Sequence, residues 1–391
     1  MSCVKMNQGR KSGTKPAARR VAVVTGARAE YGIWRPVIAA LTGAGLQPQV
    51  IATGMHLLPE FGSTWRDIVR DKVPIAARAV MYKKGESSAE SLARGTKSLA
   101  EAFNKLQPNL VLLLGDRLEM LAAAGAALAQ NRWIGHVHGG ELAPGQFDQQ
   151  IRHALTKISH VHFAATAAAA RRIRQMGEPR ASVIMCGAPA LDRAVAACEK
   201  LDQIGSGGGG LPLALLHPQS ANTADEAQRA NMMLGALAAA GITAVRAIGP
   251  NNDPGHLGIL KAYRGAQAPR VSLEMSADQE TFWRYLWESP FLIGNSSSGI
   301  IEAATFGRTA INLGVRQAGR EQSENVINAE FDDKQIGLAI HAALHDGAHA
   351  RRVEQRRNVY GQGHASDKIA AAIAALDLSG PPGSKLFVDA P

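Results

Sequence analysis

Apolar runs of strand length alternate with longer segments of helical period along almost the whole chain, and this rhythm constrains the fold more than any single residue does. "RVAVVTG" precedes "RAEYGIWRPVIAALTGAG", and "QPQVIATG", "PNLVLLLGD" and "WIGHVHGG" follow, with "LARGTKSLAEAFNKLQ" and "RLEMLAAAGAALAQ" between them. Strands so uniformly apolar are buried on both faces, which predicts parallel sheets covered by helices. After "ASVIMCGAPALDRA" comes "GSGGGG", Gly205 to Gly210, which reads as a flexible joint with no packing value. A second series then runs through "LPLALLHP", "ADEAQRANMMLGALAAAG", "ITAVRAIGP", "FLIGN" and "TAINLG".

Two such series in 391 residues predict an α/β fold of two Rossmann-like domains facing a cleft. The expected boundaries are a disordered basic tail over 1–19, a first domain over 20–190, a linker over 191–210, a second domain over 211–363 and a tail over 379–391. The formal charge of +10 suggests an anionic partner, but Lys5, Arg10, Lys11, Lys15, Arg19 and Arg20 supply six of those charges. The rest carries about +4, which is ordinary, and the leader has no aromatic residue to stack on a base, so no nucleic-acid partner is expected. No run of about 18 apolar residues occurs, which predicts no membrane span. Three cysteines, Cys3, Cys186 and Cys198, without a CxxC pair fit a reduced cytoplasm and argue against a disulfide framework or structural zinc.

Ligands of open α/β sheets bind beyond the carboxyl ends of the strands, and the polar motifs of this chain fall there. They are Gly26-Ala27-Arg28, Gly115-Asp116-Arg117, His138-Gly139-Gly140-Glu141, His217-Pro218 and Gly294-Asn295-Ser296. In "GNSSSGIIEA", small residues at a strand-to-helix turn can aim backbone N–H groups and hydroxyls at a phosphate, helped by the helix dipole. A serine N-cap is the simpler reading, but three serines exceed what a cap requires. In "GDRLEM", Asp116 is either a working carboxylate or a helix cap with Arg117 as a surface partner. "HVHGGELAPGQFDQQIRHALTKISHVHF" is the densest polar region. Its H-x-H spacings lack the Cys or acidic partners of a zinc site, so no metal is expected, and for Arg152 and His153, on a predicted helix, a site role and a solvated face both stay open.

"TGARAEYG", "TGMHLLPEFG", "GDRLEM", "HVHGGE", "IRHALTKISHVHF", "HPQS", "PNNDPG", "IGNSSSGIIEA" and "NLGVRQAGRE" stand in order across roughly residues 20 to 375, closing with "YGQGHASDKIAAAIAAL". This series resembles the UDP-N-acetylglucosamine 2-epimerases, most closely their hydrolysing branch. The resemblance implies a glycosyltransferase-B-like pair of domains, with a last helix at about 364–378 crossing back to the first. It also implies a UDP-sugar substrate, no metal or nicotinamide cofactor and a homo-oligomer, dimer or tetramer. Ser296, Ser297, Ser298, Gly299 and Arg28 would receive the diphosphate, Glu302 the ribose, and His217 and Arg316 the phosphate or sugar side. Asp116 and Asp148 match catalytic acids, and His56, Arg117 and His160 would line the sugar pocket. Where "HIEGG" members carry a catalytic Glu this chain has His138, with Glu141 the next acid, and Gln149 stands where a second acid often follows Asp148.

Overall fold

The computed structural model describes residues 19–142, 148–205, 207–251, 253–383 and 385–389. The first domain holds a parallel sheet of seven strands in the order β3-β2-β1-β4-β5-β6-β7. These are β1 (Arg20–Thr25), β2 (Gln47–Thr53), β3 (Ile75–Ala79), β4 (Leu110–Leu114), β5 (Trp133–Val137), β6 (Val161–Ala164) and β7 (Val183–Met185). Its helices are α1 (Arg28–Gly43), α2 (Trp65–Arg70), α3 (Ser88–Leu106), α4 (Leu118–Ala129), α5 (Asp148–Ile158), α6 (Ala167–Gln175) and α7 (Ala190–Asp202).

The second domain has six parallel strands in the order β10-β9-β8-β11-β12-β13. They are β8 (Leu213–Leu215), β9 (Ala244–Ile248), β10 (Arg270–Glu274), β11 (Phe291–Gly294), β12 (Thr309–Leu313) and β13 (Val326–Ala329). Around them lie α8 (Thr223–Ala239), α9 (His256–Gly265), α10 (Gln279–Glu288), α11 (Ser297–Ile301), α12 (Asp333–His345) and α13 (Gly347–Glu354), and α14 (Ala365–Ala375) follows.

Both sheets are doubly wound, and each reverses direction once, between β1 and β4 and between β8 and β11. A crevice opens at such a reversal because neighbouring connections leave to opposite faces. The apolar runs explain the layers: every residue of β4 and β12 is buried, so helices cover both faces. The last helix does cross back. Ile369, Ala370 and Ile373 of α14 join Trp34, Val37 and Leu41 of α1 in the core of the first domain. Asp192 holds the start of α14 by accepting from Ala365 N and Ser366 N, both at 2.8 Å. Arg19 closes its other end by donating to Ala374 O at 2.7 Å.

Two expectations need correction. The first part of the expected linker is helical: α7 spans Ala190–Asp202, and its Leu191, Ala194 and Cys198 share an apolar cluster with Leu213, Trp283, Ile300 and Phe306 of the second domain. The glycine stretch is not a loose joint, because Gly208 N and Gly210 N donate to Glu288 O at 3.1 and 2.8 Å. A Cβ at Gly207 would lie 2.1 Å from Trp287 O, so only glycine lets the chain pass there. The closing tail is docked: Lys385 Nζ donates to Thr156 O and Lys157 O, and Val388 N donates to Gly177 O. Residues 1–18 of the expected basic leader lie outside the described residues. Among the described residues no helix is long and apolar enough to cross a membrane.

Candidate active site

The turn after β5 organises the first half of the site. His138 adopts a left-handed conformation, φ +64°, and Gly140 follows at φ +75°. A Cβ at Gly139 would approach His136 Nδ1 to 2.9 Å, and one at Gly140 would lie 2.3 Å from Ala169 O. The two glycines therefore let the strand end fold back under α6 and deliver Glu141 to His138, with His138 Nδ1 2.5 Å from Glu141 Oε1. Burial alone would raise the Glu141 pKa, but the His138 ring and Arg152 outweigh it and hold the carboxyl below its ordinary value. His138 Nε2 is buried and has no hydrogen-bond partner among the described residues.

Arg152 is the hub of this half. It is buried on α5, pairs with the Asp116 carboxylate and donates through Nη1 to His138 O at 2.5 Å. One guanidinium thus ties the end of β4 to the end of β5, a fork that Lys could not reproduce. Sequence pattern leaves this residue open between the site and a solvated face, because helical period alone does not say which face meets the sheet. Asp148 opens the same helix and acts electrostatically on Asp116. Burial raises the pKa of Asp116 despite Arg152, and the nearby charges of Asp148 and Glu141 push the same way.

The second half grows from the ends of β8 and β11. Asn295 carries it: its side-chain amide accepts from His217 N at 2.7 Å and donates to His217 O at 2.8 Å. Its backbone carbonyl accepts from Arg316 Nη1 at 3.3 Å and Gln317 Nε2 at 2.9 Å. Asn251 N donates to His217 Nδ1 at 3.1 Å, so the neutral ring carries its proton on Nε2 as a donor. Burial, with Arg316 adding to it, lowers the His217 pKa to about 4 and keeps the ring neutral. Ser296 caps α11, its Oγ accepting from Ser298 N at 3.4 Å. That helix has five residues, so it adds little dipole to the hydroxyls, loop amides and Arg316 gathered at the turn. Gly299 is buried against Leu292 and Ala310, which lets the turn sit on the sheet. Glu302 is half-buried and accepts from Trp283 Nε1 at 2.7 Å, and burial raises its pKa despite that bond.

The loop after β12 brings the halves together. Thr166 hydrogen-bonds Glu321, Tyr360 OH donates to Glu321 O at 3.1 Å, and Arg320 acts on both Glu141 and Arg316. Two residues expected in the cleft sit elsewhere. His56 is fully buried with both ring nitrogens bonded, to Thr25 Oγ1 at 3.0 Å and Thr64 Oγ1 at 2.8 Å, so it backs the pocket wall. His160 precedes β6, where its Nδ1 accepts from Ile134 N at 3.1 Å at the start of β5. That is the amino end of the sheet, away from the crevice, and it removes His160 from the pocket. Arg28 opens α1 at the cleft end but is largely exposed, its Nε 3.7 Å from Asp67 Oδ2.

The H-x-H pairs are spent on protein partners. His136 donates from Nε2 to Gly115 O at 2.7 Å, and His162 Nε2 lies 3.0 Å from Glu178 Oε2. Among the described residues no group of three or more His, Cys, Asp or Glu is placed to hold a metal ion.

Two doubly wound domains of the glycosyltransferase-B arrangement, one with acids and the other with a serine turn at its strand ends, are the framework of a nucleotide-sugar enzyme. The sequence model of the UDP-N-acetylglucosamine 2-epimerases matches residues 39–374, and the chain belongs to that family. It is 31% identical over 332 residues to the UDP-N-acetylglucosamine 2-epimerase of Neisseria meningitidis serogroup B, covering 83% of this chain and 87% of that one. It is 32% identical over 373 residues to the hydrolysing UDP-N,N'-diacetylbacillosamine 2-epimerase of Legionella pneumophila, covering 92% and 97%. The crystal structure of UDP-GlcNAc 2-epimerase from Neisseria meningitidis bound to UDP-GlcNAc superposes with a TM-score of 0.76 at 19% identity, over 90% of this chain and 99% of that chain.

Proposed function

We propose that the protein is a hydrolysing epimerase that converts UDP-N-acetylglucosamine and water to N-acetylmannosamine and UDP. What supports this reading is that Arg320, on the loop after β12, acts on Glu141 of the first domain and on Arg316 of the second, so two unlike walls meet at that loop. Asp116, Arg152, His138 and Glu141 are knitted together at the ends of β4 and β5, with Asp148 beside them, while Asn295 ties His217 and Arg316 to the serine turn.

The C2 proton of this sugar is not acidified by a carbonyl, so inversion needs elimination. The C1–O bond to UDP breaks as the C2–H bond breaks on the opposite face, giving a 2-acetamidoglucal. The His138–Glu141 pair is the base at C2: Glu141 accepts the Nδ1 proton and leaves the Nε2 lone pair basic. Asp116 stabilises the oxocarbenium character at C1. His217 Nε2–H, Arg316, Arg28 and the Ser296, Ser297 and Ser298 hydroxyls take the charge of departing UDP, and Glu302 holds the ribose hydroxyls. Water then adds at C1, losing a proton to the Asp116 carboxylate, while Asp148 in its acid form gives a proton to C2 from the other face; exchange with solvent resets His138, Asp116 and Asp148.

The hydrolysing outcome is supported by the "HGGE" and "IRHALTKISH" block and by the relatives whose names carry that outcome. Those same relatives, at 32% and 30% identity, favour a second substrate, a UDP-2,4-diacetamido-trideoxyhexose. The test is product analysis by NMR with each UDP-sugar in turn. Free N-acetylmannosamine and UDP from UDP-N-acetylglucosamine support the first reading. Turnover of the diacetamido sugar alone shifts the substrate, and an equilibrium of two UDP-sugars overturns hydrolysis.

A further inference from the structure

Arg117 caps α4 at the reversal between β1 and β4, in the sugar half of the cleft, and two buried acids that the reading above leaves unused close on it. Glu119 grips its guanidinium along one edge, accepting from Nη2 at 2.8 Å and Nε at 3.2 Å. Glu30 Oε1 lies 3.4 Å from the same Nε, while Glu30 Oε2 accepts from Gly26 N at 2.6 Å. Met55 Sδ accepts from Nη2 at 3.2 Å. Glu30 is 7% exposed and Glu119 fully buried, whereas the Arg117 side chain remains 38% exposed. The glycines of "TGARAEYG" and "TGMHLLPEFG" are cut to this clamp. A Cβ at Gly26 would lie 3.0 Å from Glu119, and one at Gly54 would lie 2.5 Å from Glu119 Oε1.

We infer that Glu30 and Glu119 are positioning residues that fix Arg117 so that its free edge faces the sugar of the bound nucleotide. This rests on the UDP-sugar reading above. Nε and one Nη are committed to the clamp, and Nη1 has no hydrogen-bond partner among the described residues. A planar fork held along one edge cannot rotate, so the other edge is presented in one orientation.

The clamp also has a charge state. Two carboxylates face one guanidinium, and the other titratable groups against them are the Tyr82 hydroxyl, on which Glu119 acts, and the buried His56 ring, which burial keeps neutral. One buried negative charge is left over, and a proton on Glu30 removes it. Glu30 is the site because burial and then Glu119 push its pKa up to about 7, and Oε1 has no hydrogen-bond partner among the described residues. When that proton leaves, Glu30 competes with Glu119 for Arg117 and turns the guanidinium away from the sugar.

The test uses the full chain. Glu119→Gln should raise KM for the UDP-sugar about tenfold, with UDP affinity by calorimetry within about twofold of wild type. On an Arg117→Ala background it should add nothing beyond about twofold, because its effect runs through Arg117. The Glu30→Gln profile of kcat/KM should lose a decline that wild type shows above about pH 7. In nitrogen-15-labelled protein the Arg117 Nε–H should be protected from exchange in wild type and exposed in Glu119→Gln, whether or not any sugar turns over. A protected Nε–H without turnover overturns the functional reading and leaves the clamp. A further tenfold loss from Glu119→Gln on Arg117→Ala, or a Glu30→Gln profile that matches wild type, overturns the clamp; the latter stands even if Glu119→Gln fails to fold.

Discussion

His138 Nδ1 and Glu141 Oε1 lie 2.5 Å apart across a turn that only the intervening glycines permit. A carboxylate bonded to one imidazole nitrogen fixes the tautomer and leaves the other nitrogen basic, so the two residues act as one group. His138→Gln and Glu141→Gln should each lower kcat by about a hundredfold. The double variant should fall no more than about threefold further, since the second substitution removes a group already idle. Losses that multiply in the double variant would show two independent roles.

Asp116 and Asp148 stand at the ends of β4 and the start of α5, coupled through their charges. Asp116→Asn and Asp148→Asn should each cut turnover by at least about a hundredfold while UDP affinity stays within a few-fold. Steady-state rates beside UDP calorimetry check this. Near-normal turnover in either variant removes that residue from the chemistry.

Replacing Ser296 and Ser297 together by Ala should weaken UDP binding by about 1–3 kcal/mol, the range for hydrogen bonds to a charged group. The loss of the Ser296 cap also lowers stability by about 1 kcal/mol, so thermal melts must accompany the calorimetry. Unchanged UDP affinity in a folded variant returns the turn to a simple cap.

Glu178 lies under the docked tail and accepts from Lys157 Nζ and Lys385 Nζ, each at 2.7 Å, with His162 Nε2 at 3.0 Å. Burial would raise its pKa, but the bonds to His162, Lys157 and Lys385 win and hold it at about 2 against an ordinary 4.5. A depressed carboxyl stabilises the fold above pH 4.5, and the contribution disappears as pH falls from there to 2. The difference corresponds to about 3 kcal/mol. Glu178→Gln should therefore melt lower at pH 7, and the gap to wild type should close between pH 4.5 and 2. A gap that persists unchanged at pH 2 contradicts the ion-pair account.

Much of this was legible in the sequence, for physical reasons. Apolar runs such as "LVLLL" can only be buried parallel strands, and Gly115-Asp116-Arg117 and Gly294-Asn295-Ser296 had to fall at their carboxyl ends. His160 was misplaced by the family resemblance, although its position before a strand already put it at the wrong end of the sheet. Arg152, Glu30 and Glu119 were illegible as site residues. An acid in the first turn of a helix reads as a dipole partner, and an arginine on an amphipathic helix reads equally well as solvated, until the packing shows what each one faces. The glycine stretch failed for a related reason. Composition reports freedom, whereas Gly207 is glycine because Trp287 O leaves no room for a side chain.

In the proposed reaction C2 inverts by losing its proton and regaining one from solvent. The reaction of UDP-N-acetylglucosamine in deuterated water, with the sugar product followed by NMR from early time points, tests this step. The expected product is N-acetylmannosamine carrying deuterium at C2, formed together with UDP. N-acetylmannosamine that keeps hydrogen at C2 would contradict it.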